Sequence, residues 1–147
     1  MTVKLSRLQI AWRLAQDLKE GLVVNLGAGM PLTVSNFVPA GREVIFHSEN
    51  GILGFGPKPE AGKEDRRLRN AGNQPVTLLP GASLFHHADS FTMIRGGHID
   101  VCVLGAYEVA ENGDLANWIL PDSPRAPAVG GAMDLATGAK RVFVMME

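Results

Sequence analysis

Apolar positions near the start of the chain repeat at helical spacing, at Leu5, Leu8, Ala11, Trp12, Ala15 and Leu18. Ser6 with Gln9 three places later has the form of a capping box, so a helix is expected to begin there and end by Gly21. The pattern then changes to short, nearly continuous apolar runs at residues 22–26, 43–48, 76–79, 100–104 and 141–146, which predict strands. Their lack of polar alternation suits a sheet covered on both faces. A glycine turn, Gly27-Ala28-Gly29, follows the first run, and Pro31 is placed to open a second helix through about Phe37. Glycine and proline punctuate residues 54–62, which are expected to be irregular. Five strands with helical patches between them predict an α/β fold, an open and largely parallel sheet with helices on both faces.

Sites in such sheets form at the carboxyl ends of strands. The expected ends carry Gly27-Ala28-Gly29, Ser48-Glu49-Asn50-Gly51, Pro80-Gly81-Ala82-Ser83 and Gly105-Ala106. Glu49 follows a strongly apolar run directly, with Asn50 and Gly51 after it instead of more charge. On position alone it is either a functional carboxylate or an ordinary exposed acid of a loop. An ionised carboxylate can act as a nucleophile without a general base, given an electrophile with a good leaving group such as a thioester.

Composition removes several alternatives. The 147 residues carry 14 Lys and Arg against 15 Asp and Glu, a net charge of -1, so no basic field is available to neutralise a nucleic-acid backbone. No apolar run reaches the roughly 18 to 20 residues of a membrane-spanning helix, and residues 1–19 lack the apolar block of a secretory signal, so a cytoplasmic location is expected. The single cysteine, Cys102, makes no intrachain disulfide and no multi-cysteine zinc site, and its apolar neighbours fit a buried thiol. His86, His87, Asp89, His98 and Asp100 show no recognised metal-ligand spacing, and no metal is expected. The dinucleotide fingerprint and the phosphate-binding P-loop both fail, at Leu32 and at Glu64. Ser48 and Ser90 lie in no nucleophile elbow. The 17 glycines exceed the usual share of about 7%, which points to several tight backbone turns.

The run Phe46-His47-Ser48-Glu49-Asn50-Gly51-Ile52-Leu53-Gly54, continuing to Gly56-Pro57, resembles the signature of the 3-oxoacid coenzyme A transferases, the family I CoA transferases, in their B, or β, subunit. The resemblance extends to Asn25-Leu26-Gly27-Ala28-Gly29-Met30-Pro31, to residues 86–98, to Gly113-Asp114-Leu115-Ala116-Asn117-Trp118 and to residues 130–136. Succinyl-CoA:3-ketoacid and 3-oxoadipate CoA transferases are members of this kind. The resemblance implies one CoA transferase domain over residues 1–147, shorter at its C-terminal end than the family's β subunits.

It also implies that Glu49 is the catalytic glutamate, moving coenzyme A from an acyl-CoA such as succinyl-CoA to a 3-oxoacid through a covalent glutamyl-CoA thioester. Coenzyme A is then a substrate, no cofactor stays bound, and an A, or α, subunit completes a hetero-oligomer. On this resemblance Gly27, Gly29, Gly130 and Gly131 are candidates for close backbone approach to the acyl group or oxyanion, and Gly51 lies beside the nucleophile. Asn50 is expected to orient Glu49 or donate a hydrogen bond, while Phe46, Phe55, Phe91 and Met133 are either walls that keep water from the pocket or, the favoured account, ordinary core packing. Two other functions stay open, a thioester hydrolase on the same scaffold and a non-catalytic assembly module. The acceptor acid is unresolved, with Arg95 and Arg125 as candidate partners of a second carboxylate.

Overall fold

The structure, a computed structural model, describes residues 4–120, 122, 124 and 126–147. Helix α1 spans Arg7–Asp17. The Ser6 hydroxyl accepts from the Gln9 N–H, and the Gln9 side chain accepts from the Ser6 N–H at 2.8 Å, which closes the expected capping box. Ala11 and Ala15 on its inner stripe are fully buried, and Leu18 just beyond the helix is buried with them.

Strand β1 (Val23–Leu26) leads into a tight turn and then a 3₁₀ helix at Met30–Phe37. Pro31 does open a helix, but of the 3₁₀ form. The Thr33 and Ser35 hydroxyls donate to the carbonyls of Met30 (2.6 Å) and Leu32 (2.9 Å), and Leu32 N–H donates to the Gly29 carbonyl, an i to i+3 bond. Strands β2 (Ile45–Ser48) and β3 (Ile52–Phe55) form a hairpin, and β4 (Leu78–Leu84) follows. Helix α2 (His87–Arg95), β5 (Val101–Gly105), the two-residue strands β6 (Glu108–Val109) and β7 (Leu115–Ala116), α3 (Ala132–Gly138) and β8 (Val142–Met145) complete the order.

The main sheet runs β4-β3-β2-β1-β5-β8. Strands β2, β1, β5 and β8 are parallel, whereas β3 and β4 are antiparallel additions beyond β2. The α/β sheet is thus largely parallel, as expected, with one antiparallel wing. That wing corrects two sequence readings. Residues 54–62 are not wholly irregular, because β3 reaches Phe55 through a register shift between Leu53 and Phe55, at Gly54 with φ 79°. The run at 76–79 begins a strand centred later, so Pro80-Gly81-Ala82-Ser83 lies inside β4 and not at a strand end. Proline is tolerated there because β4 is an edge. The β6/β7 hairpin has two residues per strand, too few for any periodic pattern.

Alternation along each strand divides the core in two. Val24 and Leu26 of β1 with Val101 and Val103 of β5 pack against α1 and the 3₁₀ helix. Val23, Cys102 and Leu104 face α2 and α3, where Ile94 and Leu135 are buried. Helices therefore cover both faces. Burying each of these aliphatic side chains contributes roughly 1.5–3 kcal/mol. Asp100 locks the entry to β5: its carboxylate accepts from the Val23 N–H at 2.9 Å and from Lys140 at 2.7 Å, and Lys140 first, then that N–H, holds its pKa below the usual value.

Candidate active site

Asn25 and His47 stand on neighbouring parallel strands in direct register, and alternation points both toward the face covered by α2 and α3. Two residues on from His47 the same alternation carries Glu49 out of the sheet, at the carboxyl ends of the parallel strands. Glu49 is half-buried in the turn between β2 and β3. Its Oε2 accepts from Asn25 Nδ2 at 3.0 Å. Asn25 is fully buried, and the same amide nitrogen lies 3.0 Å from His47 Nδ1 and 3.3 Å from the His47 carbonyl. On its far side, His47 Nε2 is 2.8 Å from the hydroxyl of Ser90, which α2 buries completely. Burial alone pulls the His47 pKa down to about 4, so its ring is neutral near pH 7.

Glu49 forms one wall of a cleft of about 470 Å³ whose other sides are Gly27, Ala28, Leu104, Tyr107 and Gly130-Gly131. Gly and Ala make up about half of the lining, so main chain is exposed to whatever occupies it. The N–H groups of Gly130 and Gly131 are engaged by no backbone carbonyl among the described residues. Gly131 also abuts the Phe91 ring, where a Cβ would come within 3.0 Å. A carboxylate sharing a recess with these glycine amides is suited to attack on a carbonyl carbon with stabilisation of the oxyanion.

The other residues singled out from the sequence fall at varied distances from this cleft. Gly27 lines it, but its N–H already donates to the Val103 carbonyl at 2.8 Å. A Cβ there would sit 2.9 Å from that same oxygen, so glycine serves strand packing. Gly29, with φ 84°, forms the turn before the 3₁₀ helix and is not in the lining. Gly51 sends its N–H to the Ser48 carbonyl. The Asn50 amide donates to the Arg69 carbonyl at 2.7 Å, away from Glu49, and Asn25 supplies the hydrogen bond instead.

Phe46 and Phe55 pack on each other at 5.6 Å in the opposite half of the core, Met133 is exposed, and Phe91 is outside the lining, so none of the four walls the cleft. Ser48 accepts from the Ala71 N–H, His86 caps α2 through Ala88, and no cluster of metal-binding side chains occurs among the described residues. Cys102 is buried, and burial first, then the negative charge of Glu49, raises its thiol pKa far above the usual value. Arg95 is paired with Asp134 at 2.7 Å over the Phe91 ring, and Arg125 lies outside the described residues. What the sequence reading missed is the Asn25–His47–Ser90 chain. Its only signal was an isolated polar residue inside each of two apolar strands.

A family model described as Coenzyme A transferase matches residues 7–147. The chain is 59% identical over 144 residues to the B-type subunit of the 3-oxoadipate CoA-transferase of Acinetobacter baylyi, covering 98% of this chain and 66% of that protein. It is 55% identical over 135 residues to the B-type subunit of the succinyl-CoA:3-ketoacid coenzyme A transferase of Helicobacter pylori, covering 92% and 64%. The chain thus spans about two thirds of the length of the curated relatives it matches. Among solved structures, an acyl-CoA transferase apoenzyme from Escherichia coli superposes with a TM-score of 0.70 at 20% identity, covering 98% of this chain and 25% of that one, a likeness of fold.

Proposed function

The chain belongs to the coenzyme A transferase family, and from that premise we propose that it is the nucleophile-bearing β subunit of a 3-oxoacid CoA transferase. The observation that supports this most is the Glu49 carboxylate, held by Asn25 in the wall of a cleft rich in glycine and alanine. A Glu49 oxygen attacks the thioester carbonyl of an acyl-CoA such as succinyl-CoA. The C–S bond breaks, and coenzyme A leaves as a thiolate from a mixed acyl-glutamyl anhydride. That thiolate attacks the glutamyl carbonyl and expels the donor as its carboxylate, leaving a glutamyl-CoA thioester. The acceptor 3-oxoacid carboxylate then repeats the two steps in reverse order and departs as its CoA thioester, which restores Glu49.

Each addition puts negative charge on a carbonyl oxygen, and the Gly130 and Gly131 amides are the donors assigned to it, with Gly27 giving room. We assign residues 1–147 to one β-type domain that works in the cytoplasm with an α subunit, with coenzyme A as substrate and no resident cofactor. Trapping tests the assignment. The enzyme reconstituted with its α subunit is incubated with acyl-CoA and reduced with borohydride, and the peptide containing Glu49 is expected to carry the reduced residue by mass spectrometry. Reduction at another residue, or CoA release independent of any acceptor, overturns it, the latter in favour of a hydrolase.

Acceptor choice is not assigned to Arg95, because Asp134 already occupies its guanidinium. Arg95→Gln is expected to leave the ratio of kcat/KM for 3-oxoadipate over acetoacetate within about twofold, and to change stability little, as exposed pairs do. Paired kinetics and thermal melts measure both.

A further inference from the structure

Three polar atoms surround one nitrogen at the base of the site. Asn25 Nδ2 has two hydrogens and faces His47 Nδ1, the His47 carbonyl and Glu49 Oε2. The other end of the amide, Oδ1, is buried and meets no hydrogen-bond donor among the described residues. Nothing on the Oδ1 side therefore holds the amide in its orientation. Turned by 180°, Oδ1 would face the carboxylate nucleophile and repel it. The orientation is decided on the nitrogen side, and there His47 is the one partner that could act either as donor or as acceptor.

We propose that His47 is a positioning residue for the Glu49 nucleophile: its bare Nδ1, fixed by donation from Nε2–H to Ser90, holds the Asn25 amide with its NH2 group toward Glu49. The inference rests on the transferase reading only for its kinetic consequence. Ser90 is suited to the role because α2 buries its hydroxyl 2.8 Å from Nε2, where it is able to accept an imidazole proton. The Phe85 ring stacks beside the imidazole, with 6.2 Å between centroids, and limits its tilt. A proton on Nδ1 instead would face the amide hydrogens of Asn25, an opposed contact that loosens the hold of that amide on Glu49. Neutral His47 with its proton on Nε2 makes all three neighbours of Nδ2 acceptors, and only that state does so.

The test uses the enzyme reconstituted with its α subunit and two independent readouts. In protein carrying ¹⁵N-labelled histidine, the signal that disappears in His47→Asn belongs to His47, and its shifts are expected to report a bare Nδ1 and a protonated Nε2 from about pH 6 to 8. Ser90→Ala is expected to mix the two tautomers. In single-turnover experiments with acyl-CoA, His47→Leu is expected to form the glutamyl-CoA thioester roughly 10- to 100-fold more slowly, with little change in acyl-CoA binding. His47→Asn, whose Oδ1 can replace Nδ1 as acceptor, is expected to recover most of that rate.

A protonated Nδ1 in the native enzyme overturns the proposal, as does a folded His47→Leu variant that forms thioester at the native rate. If His47→Leu does not fold, Ser90→Ala decides: an unmixed tautomer and native thioester formation overturn the proposal. Failure of the transferase reading itself shows separately, as turnover that survives Glu49→Ala.

Discussion

Glu49→Gln is expected to lower CoA transfer by about 10⁴-fold or more while leaving the fold intact. The amide keeps the size of the side chain, and its oxygen can still accept from Asn25 Nδ2, now 3.0 Å from Oε2, so the hydrogen bond that ties the turn to β1 survives. What is lost is the anionic oxygen. A neutral amide is a poor nucleophile toward a thioester, and neither the anhydride nor the enzyme thioester can form from it. Glu49→Ala removes the group altogether and should be at least as impaired. Steady-state kinetics on reconstituted enzyme check this, with parallel-line patterns for the native protein and thermal melts to show that both variants fold. Turnover within tenfold of native for either variant would remove Glu49 from the chemistry.

Gly51→Ala is expected to cost about 3 kcal/mol or more, with a drop in Tm of roughly 6–12 °C. The backbone at Gly51 has φ 114°, outside the range of L side chains, and a Cβ would lie 2.1 Å from the Phe85 carbonyl oxygen. Neither partner can yield easily, because Phe85 N–H donates back to the Gly51 carbonyl and His86 next to it caps α2. Displacing this joint shifts α2, and with it Ser90 beneath His47, so activity should fall along with stability. Gly62→Ala is the control. It also has positive φ, 84°, but faces open space, and should cost only about 1–2 kcal/mol. Equal losses in the two variants would show that backbone conformation, not the contact with Phe85, governs both.

Position in the sequence revealed the elements whose signals are local. Helix α1 was legible from its apolar stripe and Ser6–Gln9 box, and β1, β2, β5 and β8 from their short apolar runs. The antiparallel wing was not, because Gly54, Gly56 and Pro57 look like loop residues when the bulge and the edge that accommodate them are unseen. At the site, Glu49 stood out as an acid directly after an apolar strand. The role of neighbouring glycines depends on where their N–H groups point: Gly51 and Gly27 donate theirs to Ser48 and Val103, which no spacing discloses. Asn50 beside Glu49 in sequence reaches Arg69, whereas Asn25, on another strand, reaches the carboxylate, since register and not proximity in the chain sets that contact.

Cys102 sits opposite Asn25 in the pairing of β1 with β5, under the acid proposed to carry acyl groups. A thiolate there would rival coenzyme A for the activated glutamyl carbon, expel the donor as its carboxylate and tie Glu49 into an internal thioester. Buried and held protonated, that sulfur would leave the proposed nucleophile free of such a cross-link.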